Sequence, residues 1–232
     1  MSASLAEKVM IGFRIKASGE KILPQWVEAF RDLPVANISD CMARMTAGGA
    51  DLRAFYKGPR MVGPALTVKT RPGDNLVVHK ALDVAEPGDI LVVDAGGDLT
   101  NALVGELMIA HAIHRKLGGL VISGAIRDSA ELLAGSFPVF ALGVTHRGPF
   151  RDGPGEVNVP IALHGMVISP GDLVCGDADG VVSVARHEVE EVHALALKRN
   201  NDEVKLMAQI NAGTSDRRWV DELLIRNGCS IE

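Results

Sequence analysis

The stretch from residue 103 to residue 128 constrains the fold most, because a helix, a break and a buried strand follow one another closely. An amphipathic helical pattern begins near Gly105, and Gly118-Gly119 ends it. Residues 120–126 then form a short apolar run, which is typical of a buried strand. A helix that leads directly into a buried strand indicates alternating strands and helices, in the manner of a βαβ unit.

The same stretch is expected to bring charged groups together. Glu106 belongs to the first turn of the helix, and Arg127-Asp128 follow the strand. The N–H groups and the positive dipole end of a helix that starts near Gly105 face the side on which the strand delivers its C-terminal residues. An anion, a guanidinium group and two carboxylates can therefore meet at one place.

Each of these charged residues also has a structural explanation. Residues 128–131 have the spacing of a capping box, Arg127 could be a surface ion-pair partner, and Glu106 could complement the helix dipole. The combination favours a functional site, because Gly105 lacks a side chain where backbone amides would approach an anion. Glu106 follows it directly and could act on a proton there.

Histidine and cysteine patterns do not predict a zinc-type metal site. His111 and His114 lack the separation of four residues that suits two metal ligands on one helix face, and His79 is not expected to line the site. The three cysteines have no metal-ligand spacing, which fits a reducing compartment and inert thiols. Asp128 is instead a hard oxygen donor suited to Mg²⁺ or Mn²⁺.

The length of the chain limits the number of domains, and its charge limits the kinds of partner. The 232 residues, 47% of them hydrophobic, suit one large domain, so we expect a single domain over residues 1–232. A net charge of −5 with scattered basic residues predicts no nucleic-acid and no membrane partner. Residues 1–8 lack the pattern of a signal peptide, and no apolar run approaches the roughly 20 residues of a membrane span, so we expect a cytoplasmic location.

Helical patterns and strands alternate through the first half of the chain. A helix is predicted over residues 24–33, and Ser39 has the character of an N-cap for a second one. A strand is predicted over residues 61–70, followed by a helix through Ala85. These elements predict a mixed α/β fold.

The second half of the chain contains short strands and then a long helix. The tripeptide Pro-Gly-Asp occurs at residues 87–89 and again at residues 170–172, each time before an apolar run. Both runs are therefore predicted to be strands, in related places of two layers of sheet. Short strands with Gly and Pro turns predominate between residues 138 and 184. The polar helix over residues 186–210 has a narrow apolar stripe, which is typical of a helix on a neighbouring subunit or outside the core.

These motifs resemble a known active-site signature. Gly105-Glu106-Leu107-Met108, the twenty-residue gap and Ile126-Arg127-Asp128 look like those of class II pyruvate aldolases of the 4-hydroxy-4-methyl-2-oxoglutarate aldolase type. The same family includes RraA, a regulator of ribonuclease E activity. The resemblance extends from about residue 34 to residue 184. One position departs from it, since the catalytic branch commonly has Asp where this chain has Glu106.

The resemblance implies an α/β, mixed β/β/α swivelling-domain (RraA-like) fold with flanking N- and C-terminal helices. The core would cover about residues 34–184, and a helical extension over about residues 186–232 would lie at a subunit interface. A homotrimer or homohexamer is implied, with active sites between subunits. An acid of the neighbouring subunit would approach the metal there, and Glu203 is one candidate for that acid.

The resemblance also implies a role for each site residue. Asp128 would hold a divalent metal, Mg²⁺ or Mn²⁺, and Arg127 would bind an oxo or carboxylate oxygen of the substrate. The backbone of Gly105, Glu106, Leu107 and Met108 would receive the substrate carboxylate, Glu106 would position a water that moves protons, and Asn75 would help to bind the substrate.

The implied substrate is a small 2-oxo acid. Retro-aldol cleavage of a 4-hydroxy-2-oxo acid and decarboxylation of oxaloacetate would both yield the enolate of pyruvate. The alternative is a noncatalytic regulator that binds an RNA-processing enzyme such as ribonuclease E. The bacterial regulator lacks the aspartate after the arginine, so Asp128 favours the enzyme.

Overall fold

The computed structural model describes residues 10–46 and 48–231, so the prediction about residues 1–8 lies outside the described residues. The strands are β1 (Arg14–Ile15), β2 (Arg53–Ala54), β3 (Met61–Thr70), β4 (Ile90–Asp94), β5 (Ala102–Val104), β6 (Gly119–Ile126), β7 (Val139–Val144), β8 (Gly155–Val157), β9 (Ile161–Leu163), β10 (Met166–Ile168), β11 (Leu173–Asp177) and β12 (Gly180–Val184). The helices are α1 (Pro24–Phe30), α2 (Val35–Cys41), α3 (Leu76–Val84), α4 (Glu106–His114), α5 (Ser129–Ala134), α6 (Val189–Asn211) and α7 (Arg218–Arg226).

A mixed ten-stranded sheet organises these elements. Its main path runs β1-β8-β3-β4-β6-β7-β2, with β5, β11 and β12 attached beside it. Strands β3, β4, β6 and β7 run parallel to one another, and β1 runs parallel to β8. In contrast, β2 pairs antiparallel with β7, and β8 and β11 pair antiparallel with β3. The predicted mixed α/β fold is confirmed.

The two strands that follow Pro-Gly-Asp share a partner. The first half of β3 pairs antiparallel with β11, and its second half pairs parallel with β4. The ten residues of β3 are long enough to serve both neighbours. The two strands that follow Pro-Gly-Asp, β4 and β11, therefore both pair with β3, each along one half of its length.

The central strands are buried on both faces, which explains their nearly continuous apolar runs. Leu66 and Val68 of β3 pack in one cluster with α3 and α4, whereas Ala65 packs in a second cluster with β9 and β10. Successive side chains of a strand point to opposite faces, so one strand supplies both clusters.

The start of α2 differs from its prediction. The helix begins at Val35, and Ser39 lies within it, so the prediction of Ser39 as the N-cap is wrong. Val35 and Ile38 are buried in a cluster with residues of β11, β12 and α6. Burial of these apolar side chains therefore extends the helix N-terminal to the serine.

The C-terminal helices extend beyond the core. Among the residues of α6, only Val189, Val192 and Ala196 are buried, all within its first turns. No residue of α7 is buried, although its apolar side chains include Trp219 and Ile225. Across residues 10–46 and 48–231, none of the helices combines the length and apolarity that a bilayer crossing requires.

Candidate active site

Gly105 lets two charged side chains approach the start of α4. It precedes the helix in an extended conformation, and α4 begins at Glu106 as predicted. A Cβ atom on Gly105 would collide with Oδ2 of Asp128 and would lie 2.9 Å from Cγ of Arg127. The absence of a side chain at this position is therefore a steric requirement of the arrangement.

Asp128 bonds to the first turn of α4. Its Oδ2 accepts a hydrogen bond from the backbone N–H of Glu106 at 2.9 Å. Asp128 is in the left-handed conformation before α5, but its side chain makes no capping bond to that helix, so the capping-box explanation is wrong. The carboxylate instead satisfies one of the four N–H groups that the start of α4 leaves unbonded.

Arg127 lies beside this carboxylate, with its Nε 3.7 Å from Oδ2 of Asp128. The side chain of Arg127 is 43% exposed and that of Asp128 is 38% exposed, so both can be reached by a ligand. Glu106 is also exposed. The structure therefore brings together the four groups that the sequence placed at one site: the start of α4, Glu106, Arg127 and Asp128.

A small cavity of about 120 Å³ adjoins these residues. Five of the residues predicted to bind substrate line it, namely Asn75, Gly105, Leu107, Met108 and Arg127. Glu106 and Asp128 are adjacent in the chain to lining residues but are not part of the wall. Among the described residues, the wall contains two guanidinium groups, those of Arg127 and Arg151, and no carboxylate, so the cavity suits an anion.

Asn75 is buried in the wall of this cavity, with 2% of its surface exposed. Its Nδ2 donates to the carbonyl of Leu103 at 2.8 Å and lies 3.4 Å from Sδ of Met108. Its Oδ1 has no hydrogen-bond partner among the described residues. One acceptor of Asn75 is thus left for a ligand.

His79 also lines the cavity, contrary to its prediction from the sequence. Its Nε2 is buried and has no hydrogen-bond partner within the described part of the chain. Burial lowers the pKa of the imidazole, and the nearby charge of Arg151 lowers it further. His79 follows Asn75 by four residues on α3, and this helical spacing is the signal that could have identified it.

Asp74 fixes the loop that carries Arg151. Its buried carboxylate accepts hydrogen bonds from the backbone N–H groups of Asp152 at 2.7 Å and Gly153 at 2.9 Å, and also from that of Leu76. Burial alone would raise the pKa of Asp74, but these bonds and the charge of Arg71 hold it below its ordinary value. One carboxylate therefore joins the start of α3 to the loop opposite.

We expect Asp74→Asn to lower the free energy of unfolding at pH 7 by about 2–3 kcal/mol, because an amide replaces a buried charged acceptor. The pKa of Asp74 is lower in the folded protein than in the unfolded chain, where it is about 3.9. The carboxylate therefore stabilises the fold fully above about pH 3.9, and this stabilisation is lost as the pH falls through the pKa of the folded state. Urea unfolding between pH 3 and pH 7 should show a shallower pH dependence in the variant.

Asp152→Asn is the matched control for that prediction, because the side chain of Asp152 is 73% exposed. Its effect should stay within about 0.5 kcal/mol, as is usual for surface substitutions. An Asp74→Asn protein with the stability and pH dependence of the parent would show that the three N–H bonds do not secure the loop.

The donor set near Asp128 fits a hard divalent cation. No group of three or more His, Cys, Asp or Glu side chains that could hold a metal occurs among the described residues. Mg²⁺ commonly binds through one or two carboxylates and takes its other oxygens from water and substrate. One accessible carboxylate beside an anion-binding cavity is compatible with that mode and not with a closed zinc site.

Glu203, the candidate acid from a neighbouring subunit, lies on α6. Within its own chain its carboxylate accepts a hydrogen bond from Nδ2 of Asn37 at 2.9 Å and pairs with Arg199 at 3.2 Å. It does not line the cavity beside Arg127. Its proposed role therefore requires a second copy of the chain.

A larger cavity of about 780 Å³ lies beside α1, away from these residues. Its buried charge is already compensated, because Lys21 pairs with Asp89 at 2.6 Å and with Glu86 at 3.0 Å. Its wall contains neither histidine nor the Arg127-Asp128 pair. Size alone does not identify the reactive site, and we place that site at the smaller cavity.

The mixed α/β sheet with its flanking helices is an RraA-like architecture. The family model described as RraA-like, Aldolase/RraA, matches residues 35–183, and the chain belongs to this family. The matched range includes the cavity-lining residues of α3, the start of α4 and Arg127-Asp128, and it ends before α6. The predicted family resemblance is confirmed.

Curated and structural relatives carry both names known in the family. A protein of Halalkalibacterium halodurans, named as a candidate 4-hydroxy-4-methyl-2-oxoglutarate aldolase, is 39% identical over 77% of this chain and 85% of its own length. The RNA-processing inhibitor RraA from Thermus thermophilus matches with a TM-score of 0.61 and 30% identity over 66% of this chain and 93% of its own. RraAS2 of Streptomyces coelicolor matches with a TM-score of 0.73 and 25% identity over 80% and 96%.

Proposed function

We propose that this protein is a divalent-metal-dependent lyase that cleaves a 4-hydroxy-2-oxo acid, of the 4-hydroxy-4-methyl-2-oxoglutarate type, to pyruvate. The observation that carries the proposal is the position of Asp128, accessible and bonded to α4, beside a cavity with two guanidinium groups and no carboxylate. The aldolase name of the Halalkalibacterium halodurans relative supports a lyase. Oxaloacetate decarboxylation is proposed as a second activity of the same site.

The substrate would be held by its acid end. The start of α4 offers backbone N–H groups and a positive dipole, and Arg127 offers a permanently charged fork that matches carboxylate geometry. The start of α4 is bonded to Asp128 through the N–H of Glu106, and Arg127 lies beside the same carboxylate at 3.7 Å. Preorganised charge of this kind stabilises negative charge that develops during the reaction.

Asp128 would hold Mg²⁺ or Mn²⁺, which when bound polarises the 2-oxo group and so favours the enolate. Glu106 is exposed next to this carboxylate and would position the water that delivers a proton to the enolate carbon. Its longer arm, compared with the Asp common in the catalytic branch, would extend that reach. No lysine Schiff base is needed for this chemistry.

We also propose a homotrimer or homohexamer with sites between subunits. The exposure of eight of the nine residues of α7 and of most of α6 supports it, since an isolated helix of nine residues is marginal in water without packing. Light scattering should give the mass of three or six chains. A monomer in solution would contradict the proposal.

The similarity to RNA-processing inhibitors motivates a second candidate, a noncatalytic regulator that binds a ribonuclease E-type enzyme. A regulator needs neither Asp128 nor the unpaired groups in the cavity. Binding to ribonuclease E that persists in Asp128→Asn, together with absence of pyruvate formation, would favour this candidate over the lyase.

The test of the lyase is pyruvate release from 4-hydroxy-4-methyl-2-oxoglutarate and from oxaloacetate, followed with a lactate dehydrogenase-coupled assay. We expect turnover of both compounds with Mg²⁺ and its loss when EDTA removes the metal. Equal turnover with and without EDTA would contradict metal dependence. No turnover of either compound by folded protein supplied with metal would contradict the lyase.

A further inference from the structure

Two buried polar atoms in the cavity wall have no partner. Oδ1 of Asn75 and Nε2 of His79 make no hydrogen bond within the described residues, and both residues line the cavity beside Arg127. A buried polar group left unbonded costs about 1–3 kcal/mol. Two such atoms, one from the N-cap of α3 and one from a residue a helical turn further on, therefore indicate a wall that can bond to polar groups of a ligand.

The chemistry of the Asn75 atom is fixed by its neighbour. The carbonyl of Leu103 can only accept, so the amide group that faces it must be the donor, Nδ2. The remaining atom, Oδ1, is an acceptor and needs a donor such as a hydroxyl group or water. Arginine side chains alone would suit any anion, but this wall also offers an acceptor to a hydrogen-bond donor of the ligand.

His79 is suited to accept a proton. Burial and the charge of Arg151 lower the pKa of its imidazole, and His111 of α4 acts in the same direction, whereas Asp83 of α3 acts against them. The imidazole is therefore neutral near pH 7, and a neutral imidazole has one nitrogen with a free lone pair. In the tautomer with its proton on Nδ1, the lone pair lies on Nε2, the nitrogen without a partner among the described residues.

We propose that His79 is the catalytic base that removes the proton of the C4 hydroxyl group when a 4-hydroxy-2-oxo acid is cleaved. This inference rests on the lyase function proposed above and separates two proton transfers. His79, in the cavity wall, would act on the hydroxyl group, whereas Glu106, which does not line the cavity, would serve the enolate carbon through water.

In the proposed cleavage, the hydroxyl proton moves to Nε2 of His79 and the C4–O bond becomes a carbonyl. The C3–C4 bond breaks at the same time, and its electron pair stays on C3. The water beside Glu106 then protonates C3 to give pyruvate. His79 releases its proton to solvent as that water is restored, so no oxidant or reductant is needed.

Oxaloacetate provides the discriminating substrate because it has no C4 hydroxyl group. Its C3–C4 bond breaks with departure of CO₂, and no hydroxyl proton has to be removed. A base that serves only this proton is therefore required for aldol cleavage and not for decarboxylation. A residue that merely supports the fold or binds the shared 2-oxo acid end would affect both reactions.

The test compares His79→Gln with the parent on both substrates in the presence of Mg²⁺, with His114→Gln, an exposed substitution on α4, as the matched control. We expect His79→Gln to lower kcat/KM for 4-hydroxy-4-methyl-2-oxoglutarate by about 100-fold or more, the usual contribution of a general base. Oxaloacetate decarboxylation should stay within about threefold, and the control should change neither reaction.

Two further readouts separate catalysis from structure. The acidic limb of the pH profile for aldol cleavage, where His79 of the parent becomes protonated, should be absent in His79→Gln. Added imidazole should restore aldol cleavage in His79→Ala. Equal losses of His79→Gln on the two substrates, or no loss on either, would overturn the role of His79, while the activity of the parent would still support the lyase. A parent protein that is inactive on both substrates would overturn the lyase and this inference together.

Discussion

Asp128→Asn should abolish metal-dependent pyruvate release, with a loss in kcat/KM of at least about a thousandfold, equivalent to roughly 4 kcal/mol of transition-state stabilisation. The amide is neutral and is a poor ligand for Mg²⁺ compared with a carboxylate. Asparagine tolerates the left-handed conformation of this position, and its oxygen can still accept the N–H bond of Glu106. The fold should therefore survive while metal binding is lost.

Isothermal titration with Mn²⁺ and the coupled pyruvate assay measure the two expected losses. Asp51→Asn is the matched control, because Asp51 is exposed, does not line the cavity, and loses the same charge in the same type of substitution. Full activity and metal affinity in Asp128→Asn would show that the metal, if one is used, binds elsewhere.

Gly105→Ala should lower kcat/KM for both proposed substrates by about 100-fold, because misplacement of a reacting group by about 1 Å can cost that much. The extended backbone of Gly105 accommodates alanine, so the effect is steric and not conformational. The new methyl group would displace the carboxylate of Asp128 and crowd Arg127, whose Nε would lie 3.1 Å away. One added carbon would thus disturb the metal ligand and the anion-binding arginine together.

Gly135→Ala is the control for that substitution. Gly135 ends α5 with a negative φ of −88°, and a Cβ atom there would have only ordinary contacts, beginning at 3.4 Å. Circular dichroism and thermal unfolding should show both variants folded. A Gly105→Ala enzyme with parental kcat/KM would show that the close approach of Asp128 to α4 has no part in the reaction.

The local elements of this site were predictable from the sequence. The Gly-Gly stop, the apolar run of β6 and the residue types around Gly105 are short-range signals, and the predicted start of α4 is correct. The meeting of Arg127-Asp128 with that helix follows from one strand and one helix adjacent in the chain. The catalytic and binding roles of these residues were inferred from the family resemblance, and they stay predictions.

The opposite wall of the cavity was not predictable, because it depends on contacts between distant segments. Asp74 and the N–H groups of Asp152 and Gly153 are nearly eighty positions apart in the chain. Their hydrogen bonds, together with the backbone bonds of Phe150 to Gly73 and Asn75, hold the loop of Arg151 at the cavity. His79 was excluded as a lone histidine. Its spacing of four residues from Asn75 places the two on one helix face, but the sequence does not show which segment lies opposite that face. The displaced start of α2 has a similar cause, burial against α6.

The most direct measurement is the exchange of the methyl protons of pyruvate with deuterium from D₂O, followed by proton NMR with Mg²⁺ present. Exchange reports enolate formation at the site and does not depend on the distal half of any substrate. We predict exchange by the parent protein that stops with EDTA and in Asp128→Asn. Absence of exchange by folded, metal-supplied parent protein, or undiminished exchange in Asp128→Asn, would contradict the assignment of this site to metal-assisted enolate chemistry.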